Sequence, residues 1–309
     1  MALWHELKDH HRIDAYRSGN AEIDWRSPQA EGLVLDSFVG VPSGVVDFDL
    51  SVNGSDLSHN NGPISRKISH HPRYGAIRCL NFNDASSQYL TTGLPVVTGS
   101  PFTFSCWFFP DDVTVNLTML SIADSAATNH FWRLASQGVA AGDPLEFSCR
   151  DGGSVARATT ANSVTINTWQ HGVGIAVSAT DRTAILNGDL ANKGTNVTSR
   201  IPSGVDNTGV GITISSSLVQ DFSGMIADVR IRNIAISEEL LQEEYLHPYG
   251  LYKPRKRVFY SFATAGGITV TPAAEMSRLT ARRTATRLAP RLTASRLTPR
   301  RTASRLIET

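Results

Sequence analysis

The sequence predicts a mostly β protein, an antiparallel β-sandwich followed by a basic C-terminal arm. Short runs of alternating apolar and polar residues fill the chain between about residues 32 and 235, broken by Gly, Asn, Asp and Ser. Only one segment has a strong helical pattern, and the end of the chain repeats every nine residues. With 309 residues, the chain is long enough to bury a substantial core.

The segment FTFSCWFF (102–109) has the alternation of a strand with one buried face. Its apolar face carries Phe102, Phe104, Cys106 and Phe108. Similar runs predict further strands at 80–82, 118–123, 131–136, 145–150, 171–178, 182–188, 210–215 and 226–233. Many short strands without intervening helices favour an antiparallel sandwich.

Three local patterns add detail to this fold. In IADVRIRN (226–233) we expect Ala227, Val229 and Ile231 on one face and Asp228, Arg230 and Arg232 on the other. The pair Asn187-Gly188 predicts a tight turn. The segment SEELLQEEYL (237–246) predicts a helix with Ser237 as its N-cap.

The changes in composition divide the chain into four parts. Residues 1–32 form an N-terminal extension, in which HELKDHHRIDAYRSG could make one short helix. The sandwich domain spans 33–250, a basic exit segment or linker spans 251–276, and the repeat arm spans 277–309. The units of the arm are SRLTARRTA, TRLAPRLTA, SRLTPRRTA and a shortened SRLIET.

The charge is divided between an acidic body and a basic tail. Residues 1–250 carry 16 Lys and Arg against 26 Asp and Glu, a net charge of −10. Residues 251–309 carry 13 against 2, a net charge of +11. This separation predicts that the tail binds an anionic partner or the acidic face of a neighbouring copy. A solvated tail that only aids solubility is the alternative.

Several classes of protein are disfavoured by composition. No apolar run approaches the roughly 20 residues that span a bilayer, so we expect no membrane partner. The start, MALWHELKDHH, lacks the order of a secretory signal, which predicts synthesis in a cytoplasm without general export. The three cysteines lie far apart without the CxxC pairs of zinc sites, and we interpret them as buried apolar residues.

Seven segments, in this order, resemble the laminin G-like, concanavalin A-like jelly-roll family: GLVLDSF, FDLSVNGSDLSHNNG, LNFNDASSQYL, FTFSCWFFPDD, NTWQHGVGIAV, AILNGDL and FSGMIADVRIRNIAISEELLQEEY. The resemblance runs from about residue 33 to 246 and implies a jelly-roll sandwich. It specifies no activity, because this fold hosts lectins, hydrolases, adhesion modules and spacers.

The exit segment HPYGLYKPRKR (247–257) resembles the NPWQLF-x-PRRR stretch that often follows such domains in phage-encoded and environmental bacterial proteins. A jelly roll without a secretory signal suits a virion component, since lysis would release it. The resemblance therefore implies a protein of a phage virion, on the head or associated with the tail.

A glycosidase site is disfavoured by AEIDWRS (21–27). Laminarinase-type relatives carry E-x-D-x-E or E-x-D-x-x-E, and a retaining mechanism needs two carboxylates about 5 Å apart. Glu22 and Asp24 are present, but Arg26 and Ser27 stand where the second catalytic carboxylate would be. We predict that the protein is not an enzyme.

The resemblance implies one ligand site, and the tryptophans suggest another. Asp49, Asn53 and Asp228 lie in the segments where some family members bind a structural calcium, the one cofactor we consider. The alternative is that these side chains cap loops through hydrogen bonds to the backbone. A second set of residues, Trp107, Trp132 and Trp169, could line a sugar-binding face unless the rings are packed under neighbouring strands or loops.

The basic tail is the predicted partner-binding surface. Pro290 and Pro299 oppose a continuous helix and favour an extended arm. Nucleic acid is a disfavoured partner, because residues 277–309 contain no aromatic side chain for base stacking. The predicted partner-binding residues are Lys253, Arg255, Lys256, Arg257, Arg278, Arg282, Arg283, Arg287, Arg291, Arg296, Arg300, Arg301 and Arg305.

These observations predict a non-enzymatic structural protein of a phage virion, such as a capsid decoration or cement protein, located on the particle. Its partners would be neighbouring copies and other virion proteins such as the major capsid protein. The alternative is a lectin-like, carbohydrate-binding adhesion module on a receptor-binding fibre or host-adhesion protein, with glycans as partners.

Overall fold

The computed structural model describes residues 21–37, 46–51, 53–71, 75–216 and 220–254. Within them the chain forms one α-helix, α1 (Glu238–Leu246), and short 3-10 turns at Pro28–Ala30, Asp84–Ser86 and Pro248–Leu251. The strands are β1 (Ala21–Ile23), β2 (Leu33–Ser37), β3 (Val46–Asp47), β4 (Leu57–Asn60), β5 (Ser65–His71), β6 (Gly75–Phe82), β7 (Tyr89–Thr91), β8 (Phe102–Pro110), β9 (Asn116–Ala123), β10 (His130–Gln137), β11 (Pro144–Asp151), β12 (Val155–Ser163), β13 (Gln170–Ser178), β14 (Asp181–Leu186), β15 (Gly194–Asn196), β16 (Asn207–Val210), β17 (Gly224–Arg232) and β18 (Tyr252–Pro254).

Two antiparallel sheets pack face to face, which confirms the predicted jelly-roll sandwich. The first sheet has the strand order β12-β11-β10-β9-β16-β7-β4-β3. The second has the order β15-β14-β13-β8-β17-β6-β5, and β2 also pairs with β17. Pairings such as β9 with β16 and β8 with β17 join segments that are distant in the sequence. Local patterns therefore could not specify this order.

The main core lies between the sheets and is rich in aromatic side chains. As predicted, Phe102, Phe104 and Phe108 of β8 point into it. Trp132 from β10 and Phe147 from β11 meet them from the first sheet, and their rings stack at a centroid distance of 5.9 Å. The apolar face of each strand thus forms the interior, and the opposite face points outward.

The outer face of the second sheet is covered, which differs from the half-buried strands predicted. Helix α1 packs Leu241 against Val173 and Ile185. Strand β1 pairs with β18 at the edge of the domain, and both contribute buried residues to an outer cluster. Residues 21–32 and 251–254 therefore belong to the folded body, which extends beyond the predicted limits of 33 and 250. The predicted helix before residue 20 lies outside the described residues.

Strand β17 contains a β-bulge that the sequence analysis missed. The pairing with β8 shifts register between Ala227 and Arg230, and Asp228 adopts a positive φ of 52°. Ala227 consequently joins the outer cluster, whereas Val229 and Ile231 point into the main core. The prediction that these three residues share a face is wrong, because a bulge reverses the alternation that follows it.

Other local predictions have mixed outcomes. Helix α1 is confirmed, with the Ser237 hydroxyl accepting a hydrogen bond from the Leu240 N–H at 3.3 Å. The turn is confirmed, because Asn187 and Gly188 both have positive φ angles.

The strand predicted at 210–215 is wrong beyond its first residue. Strand β16 ends at Val210, and Gly211 turns away with φ 81°. In the described residues no helix is long and apolar enough to cross a membrane.

A buried charged cluster lies between β17 and the elements that cover it. Arg230 Nη2 donates to Asp228 Oδ1 at 2.8 Å, and Arg232 Nη2 lies 2.7 Å from Glu244 Oε2. Glu244 also accepts a hydrogen bond from the Ser105 hydroxyl at 2.6 Å. Both guanidinium groups are fully buried. The cluster therefore joins α1 to the second sheet by charge as well as by apolar contact.

Asp36 of β2 completes the cluster on the other side of Arg230. Its carboxylate lies 3.5 Å from Arg230 Nε and accepts hydrogen bonds from the Tyr252 hydroxyl at 3.1 Å. Asp228 and Asp49 face it as like charges. Burial raises the pKa of Asp36 from 3.8 to about 7, against the opposing effect of Arg230. The site therefore favours the protonated carboxyl group below about pH 7.

Replacing Asp36 with Asn should remove part of the pH dependence of folding. The folded state holds a proton on Asp36 that the unfolded chain releases above about pH 4. This contribution to stability is complete below that pH, falls by about 1.4 kcal/mol per pH unit as pH rises from about 4 to about 7, and is lost above about pH 7. In urea unfolding from pH 5 to 8, D36N should lose less stability than the native chain. Equal losses would contradict the assignment.

Candidate binding groove

A polar groove lies on the outer face of the first sheet, across β9 to β12. Because Trp132 and Leu134 of β10 point into the core, the alternate residues Phe131 and Arg133 point outward. Arg150 of β11 and Arg157 of β12 lie on the same outer face by the same alternation. The local sequence thus places a guanidinium group on each of three adjacent strands.

A buried carboxylate holds two of these guanidinium groups in place. Glu146 is fully buried, with Arg133 Nη2 2.8 Å from Oε1 and Arg157 Nε 2.8 Å from Oε2. Arg133 also lies over the ring of Phe131, 5.0 Å from the centroid. Arg150 is held separately, because its Nε donates to the Gly153 carbonyl at 2.9 Å. The basic side chains are therefore positioned before any ligand arrives.

The segment after β16 forms one wall of the groove. Residues 211–216 run over the outer face of the sheet, where the Ser121 hydroxyl donates to the Ile212 carbonyl at 2.7 Å. The hydroxyl groups of Thr118 and Thr213 lie 3.0 Å apart. These bonds fix the wall against β9, so the groove has a defined shape.

Several polar atoms in the groove have no hydrogen-bond partner among the residues that the structure describes. They are Asn116 Oδ1, Gln220 Oε1 and Arg133 Nε. Buried polar groups are normally paired, so atoms of this kind indicate a place where water or a polar ligand binds. The groove has a volume of about 330 Å³. This volume is at the lower end of ligand pockets, which span about 300–1,000 Å³.

The three tryptophans predicted to bind sugar are buried. Trp107, Trp132 and Trp169 are only 5%, 1% and 6% exposed. Trp107 stacks against Tyr245 and borders a cavity of about 10 Å³, which is the size of a single water. Trp132 lies in the core against Phe147. The structure corrects the prediction, because packing on both sides of the strands leaves none of these rings an open face.

The exposed tryptophan of the described part is instead Trp25, which sequence analysis did not single out. It is 49% exposed and lies in a hollow of about 230 Å³ with Glu22, Leu50 and Lys253. Trp25 follows the short strand β1, and no alternation marks it as exposed. This hollow is a second place where a sugar ring could stack.

The first of the predicted calcium ligands, Asp49, caps a loop. Its carboxylate accepts hydrogen bonds from the backbone N–H groups of Asp36, Ser51 and Ser55 at 2.8–2.9 Å, and from the Ser51 hydroxyl at 2.7 Å. All its acceptor positions are therefore used by the chain itself. This arrangement is the loop-capping alternative to metal ligation.

The other two predicted ligands are also engaged by the protein. The Asn53 side-chain amide donates to the Val34 carbonyl at 3.2 Å, and Asp228 belongs to the buried cluster with Arg230. Within the described ranges, no group of three or more His, Cys, Asp or Glu residues could hold a metal ion. In this geometry the three side chains bind the loops and Arg230, which is the arrangement of the loop-capping alternative.

The predicted partner-binding residues fall almost entirely outside the described residues. Lys253 is described, and its Nζ lies 3.7 Å from Glu22 and 3.8 Å from Asp24. Glu22 and Asp24, the two carboxylates of the disfavoured glycosidase site, therefore form ion pairs with Lys253. The residues that lie outside are Arg255, Lys256, Arg257, Arg278, Arg282, Arg283, Arg287, Arg291, Arg296, Arg300, Arg301 and Arg305.

The groove itself was missed by sequence analysis, although a signal was present. FWRLAS, LEFSCR and SVARAT each place an arginine at an outward position of a strand. Each arginine taken alone resembles an ordinary surface charge. Only the pairing of β10 with β11 and of β11 with β12 brings the three together.

Several solved structures align with this chain at low sequence identity. Domain 4 of AbnA, a GH43 extracellular arabinanase from Geobacillus stearothermophilus solved in complex with arabinotriose, aligns with a TM-score of 0.52 and 17% identity over 68% of this chain and 97% of that one. The binding domain of Paraclostridial Mosquitocidal Protein 1 aligns with a TM-score of 0.48 and 18% identity over 72% of this chain and 52% of that one. The Ruminococcus gnavus IT-sialidase CBM40 bound to α2,3 sialyllactose aligns with a TM-score of 0.41 and 14% identity over 46% of this chain and 80% of that one.

At 17% identity the likeness to the arabinanase domain concerns the fold alone. A search of curated proteins gave no match. The sequence profile Laminin_G_3, which describes the concanavalin A-like lectin/glucanases superfamily, matches residues 84–242, just over half of the chain. This range contains β7 to β17, including the strands β10, β11 and β12 that carry the arginines. The chain therefore belongs to the concanavalin A-like lectin/glucanases superfamily.

Proposed function

We propose that this protein is a non-enzymatic, lectin-like module that binds glycans in the groove on the first sheet. The observation that carries the proposal is a groove lined by polar side chains, among which Asn116 Oδ1, Gln220 Oε1 and Arg133 Nε have no hydrogen-bond partner in the part of the chain that the structure describes. Sugars present many hydroxyl groups, so a site for them needs fixed donors and acceptors. A binding role agrees with the fold, which the glycan-binding domain of the arabinanase shares.

The groove fits this role better than the hollow at Trp25 does. It combines guanidinium groups on three adjacent strands with amide and hydroxyl groups from β9 and from the adjoining loops. Strands hold binding residues more precisely than loops do. The hollow at Trp25 offers a ring for stacking but only two charged partners, which already pair with each other. We therefore treat Trp25 as the competing site in the experiment.

Replacing both Arg150 and Arg157 with Gln should weaken glycan binding by roughly tenfold to a hundredfold. A hydrogen bond to a charged group contributes about 1.5–3 kcal/mol, which corresponds to a loss of this size. The full chain would first be tested on a glycan array. The affinity for the best glycan would then be measured by isothermal titration calorimetry for the native chain and the double variant.

Two control variants distinguish the sites. Lys67→Gln removes one positive charge from β5, in the other sheet, and should leave affinity unchanged. Trp25→Ala tests the competing hollow and should also leave affinity unchanged. Loss of binding in W25A with full binding in the arginine double variant would transfer the function to the Trp25 hollow. No binding to any glycan on the array would overturn the proposed function.

We propose a structural role in a phage virion as a second candidate function. The separation of an acidic body from a basic tail, and the nine-residue repeat in that tail, indicate that the arm binds a partner. In this role the acidic body faces outward, and the basic arm docks on neighbouring copies or on the major capsid protein through Arg–carboxylate bonds. The two functions are compatible, since an adhesion module can be carried on a particle.

Deleting residues 277–309 tests the role of the arm. If the arm anchors the protein, the truncated chain should be lost from particles purified by sedimentation, while the full chain stays bound and is released by high salt. Incorporation of the truncated chain at the native level would contradict the anchoring role and leave glycan binding by the body untouched.

A further inference from the structure

We infer that the groove prefers glycans bearing a carboxylate group, such as uronic or sialic acids, over neutral glycans. Arg150 and Arg157 would recognise the negative charge. The inference rests on the proposed function, and it adds the chemical class of the ligand.

The first observation is the local balance of charge. Three guanidinium groups line the groove, and none of its described lining residues is Asp or Glu. The single carboxylate beneath them, Glu146, leaves an excess of two positive charges. The excess is local, because the body as a whole is acidic.

The second observation is that the arginines act on one another. Burial lowers the pKa of Arg133, and the neighbouring charges of Arg157 and Arg150 lower it further, against the opposing effect of Glu146. The three cations are therefore close enough to repel. An anion bound among them would relieve this repulsion, whereas a neutral hydroxyl group would relieve much less of it.

The third observation is the direction in which the guanidinium groups are held. Arg150 uses Nε for the Gly153 carbonyl, and Arg157 uses Nε for Glu146. The terminal nitrogens of both side chains have no hydrogen-bond partner in the described part of the chain. Paired terminal N–H groups of this kind match the two oxygens of a carboxylate. The protein thus holds each of these two guanidinium groups through Nε and leaves the two terminal nitrogens available to a ligand.

The experiment compares acidic sugars with neutral partners of the same skeleton. Trigalacturonate is paired with its methyl ester, and 3′-sialyllactose is paired with lactose, so the two arms separate uronic from sialic acids. Affinities would be measured by calorimetry with the full chain at low and at physiological salt. We expect the acidic member of at least one pair to bind at least tenfold more tightly, with a ratio that falls as salt increases.

The variants then assign the preference to residues. The double variant Arg150→Gln with Arg157→Gln should reduce the acidic-to-neutral ratio to about one, while Lys67→Gln keeps the native ratio. Circular dichroism would verify that each variant is folded. A native ratio retained in the double variant would overturn the assignment to these arginines.

The outcomes also separate this inference from the proposed function. Equal affinity for acidic and neutral members, with binding still lost in the arginine double variant, would overturn the charge preference and leave a neutral-glycan site in the groove. Absence of binding to both members of both pairs and to the array would overturn the function and the preference together.

Discussion

Replacing Glu244 with Gln is expected to destabilise the folded domain by about 3–5 kcal/mol, because it removes the shared partner of two buried arginines. Glu244 Oε2 lies 2.7 Å from Arg232, and Oε1 lies 3.5 Å from Arg230. Burial opposes ionisation, but Arg232 and Arg230 outweigh it and hold the pKa of Glu244 well below its usual range. The variant keeps the volume of the side chain and removes its charge, so the loss would be electrostatic.

Glu243→Gln is the matched control, one position earlier on the same helix. Glu243 is exposed, and its replacement should change stability by less than about 0.5 kcal/mol. Urea unfolding at pH 7, followed by far-ultraviolet circular dichroism, gives both values. If E244Q were as stable as E243Q, the buried cluster would not be what holds α1 to the second sheet.

Trp132→Ala should cost about 3–5 kcal/mol, the usual range for deleting a fully buried aromatic side chain. The ring is 1% exposed, stacks on Phe147, and meets Phe102 edge to face at 5.1 Å. The guanidinium group of Arg182 lies 5.5 Å from its centroid. The deletion would thus leave a cavity in the main core.

Trp25→Ala provides the comparison for this prediction. Its ring is half exposed, so the loss of stability should be about 1 kcal/mol or less, measured by the same urea unfolding. The pair of variants distinguishes a structural tryptophan from an exposed one. A W132A chain that kept native stability but lost glycan binding would restore the original interpretation of Trp132 as a sugar-binding residue.

The parts of the fold that depend on local alternation were predictable. The apolar face of β8, the helix after Ser237 and the turn at Asn187-Gly188 all follow from a few adjacent residues. The bulge at Asp228 was not predictable, because its neighbours alternate perfectly in the sequence. A bulge depends on the partner strand, so its effect on the faces of β17 appears only in the pairing with β8.

The candidate site was harder to predict than the fold. Tryptophans attract attention as sugar-binding residues, yet β8 and β10 place Trp107 and Trp132 in packed layers. The burial of Trp107 depends on α1 and the terminal segments, which are distant in sequence from β8. The groove, in turn, forms only because β10, β11 and β12 are adjacent in the sheet. Each of these strands carries one arginine that the sequence does not distinguish from an ordinary surface charge. Residue type pointed to the tryptophans, which are buried. The order of the strands pointed instead to the three arginines of the groove.

The location of the bound glycan tests the central claim most directly. Backbone amide chemical shifts of the full chain would be followed by NMR during titration with the best glycan from the array. We predict that the largest changes fall on β10, β11 and β12 and on residues 211–216. Changes centred on Trp25 and Lys253, with the groove unaffected, would contradict the account.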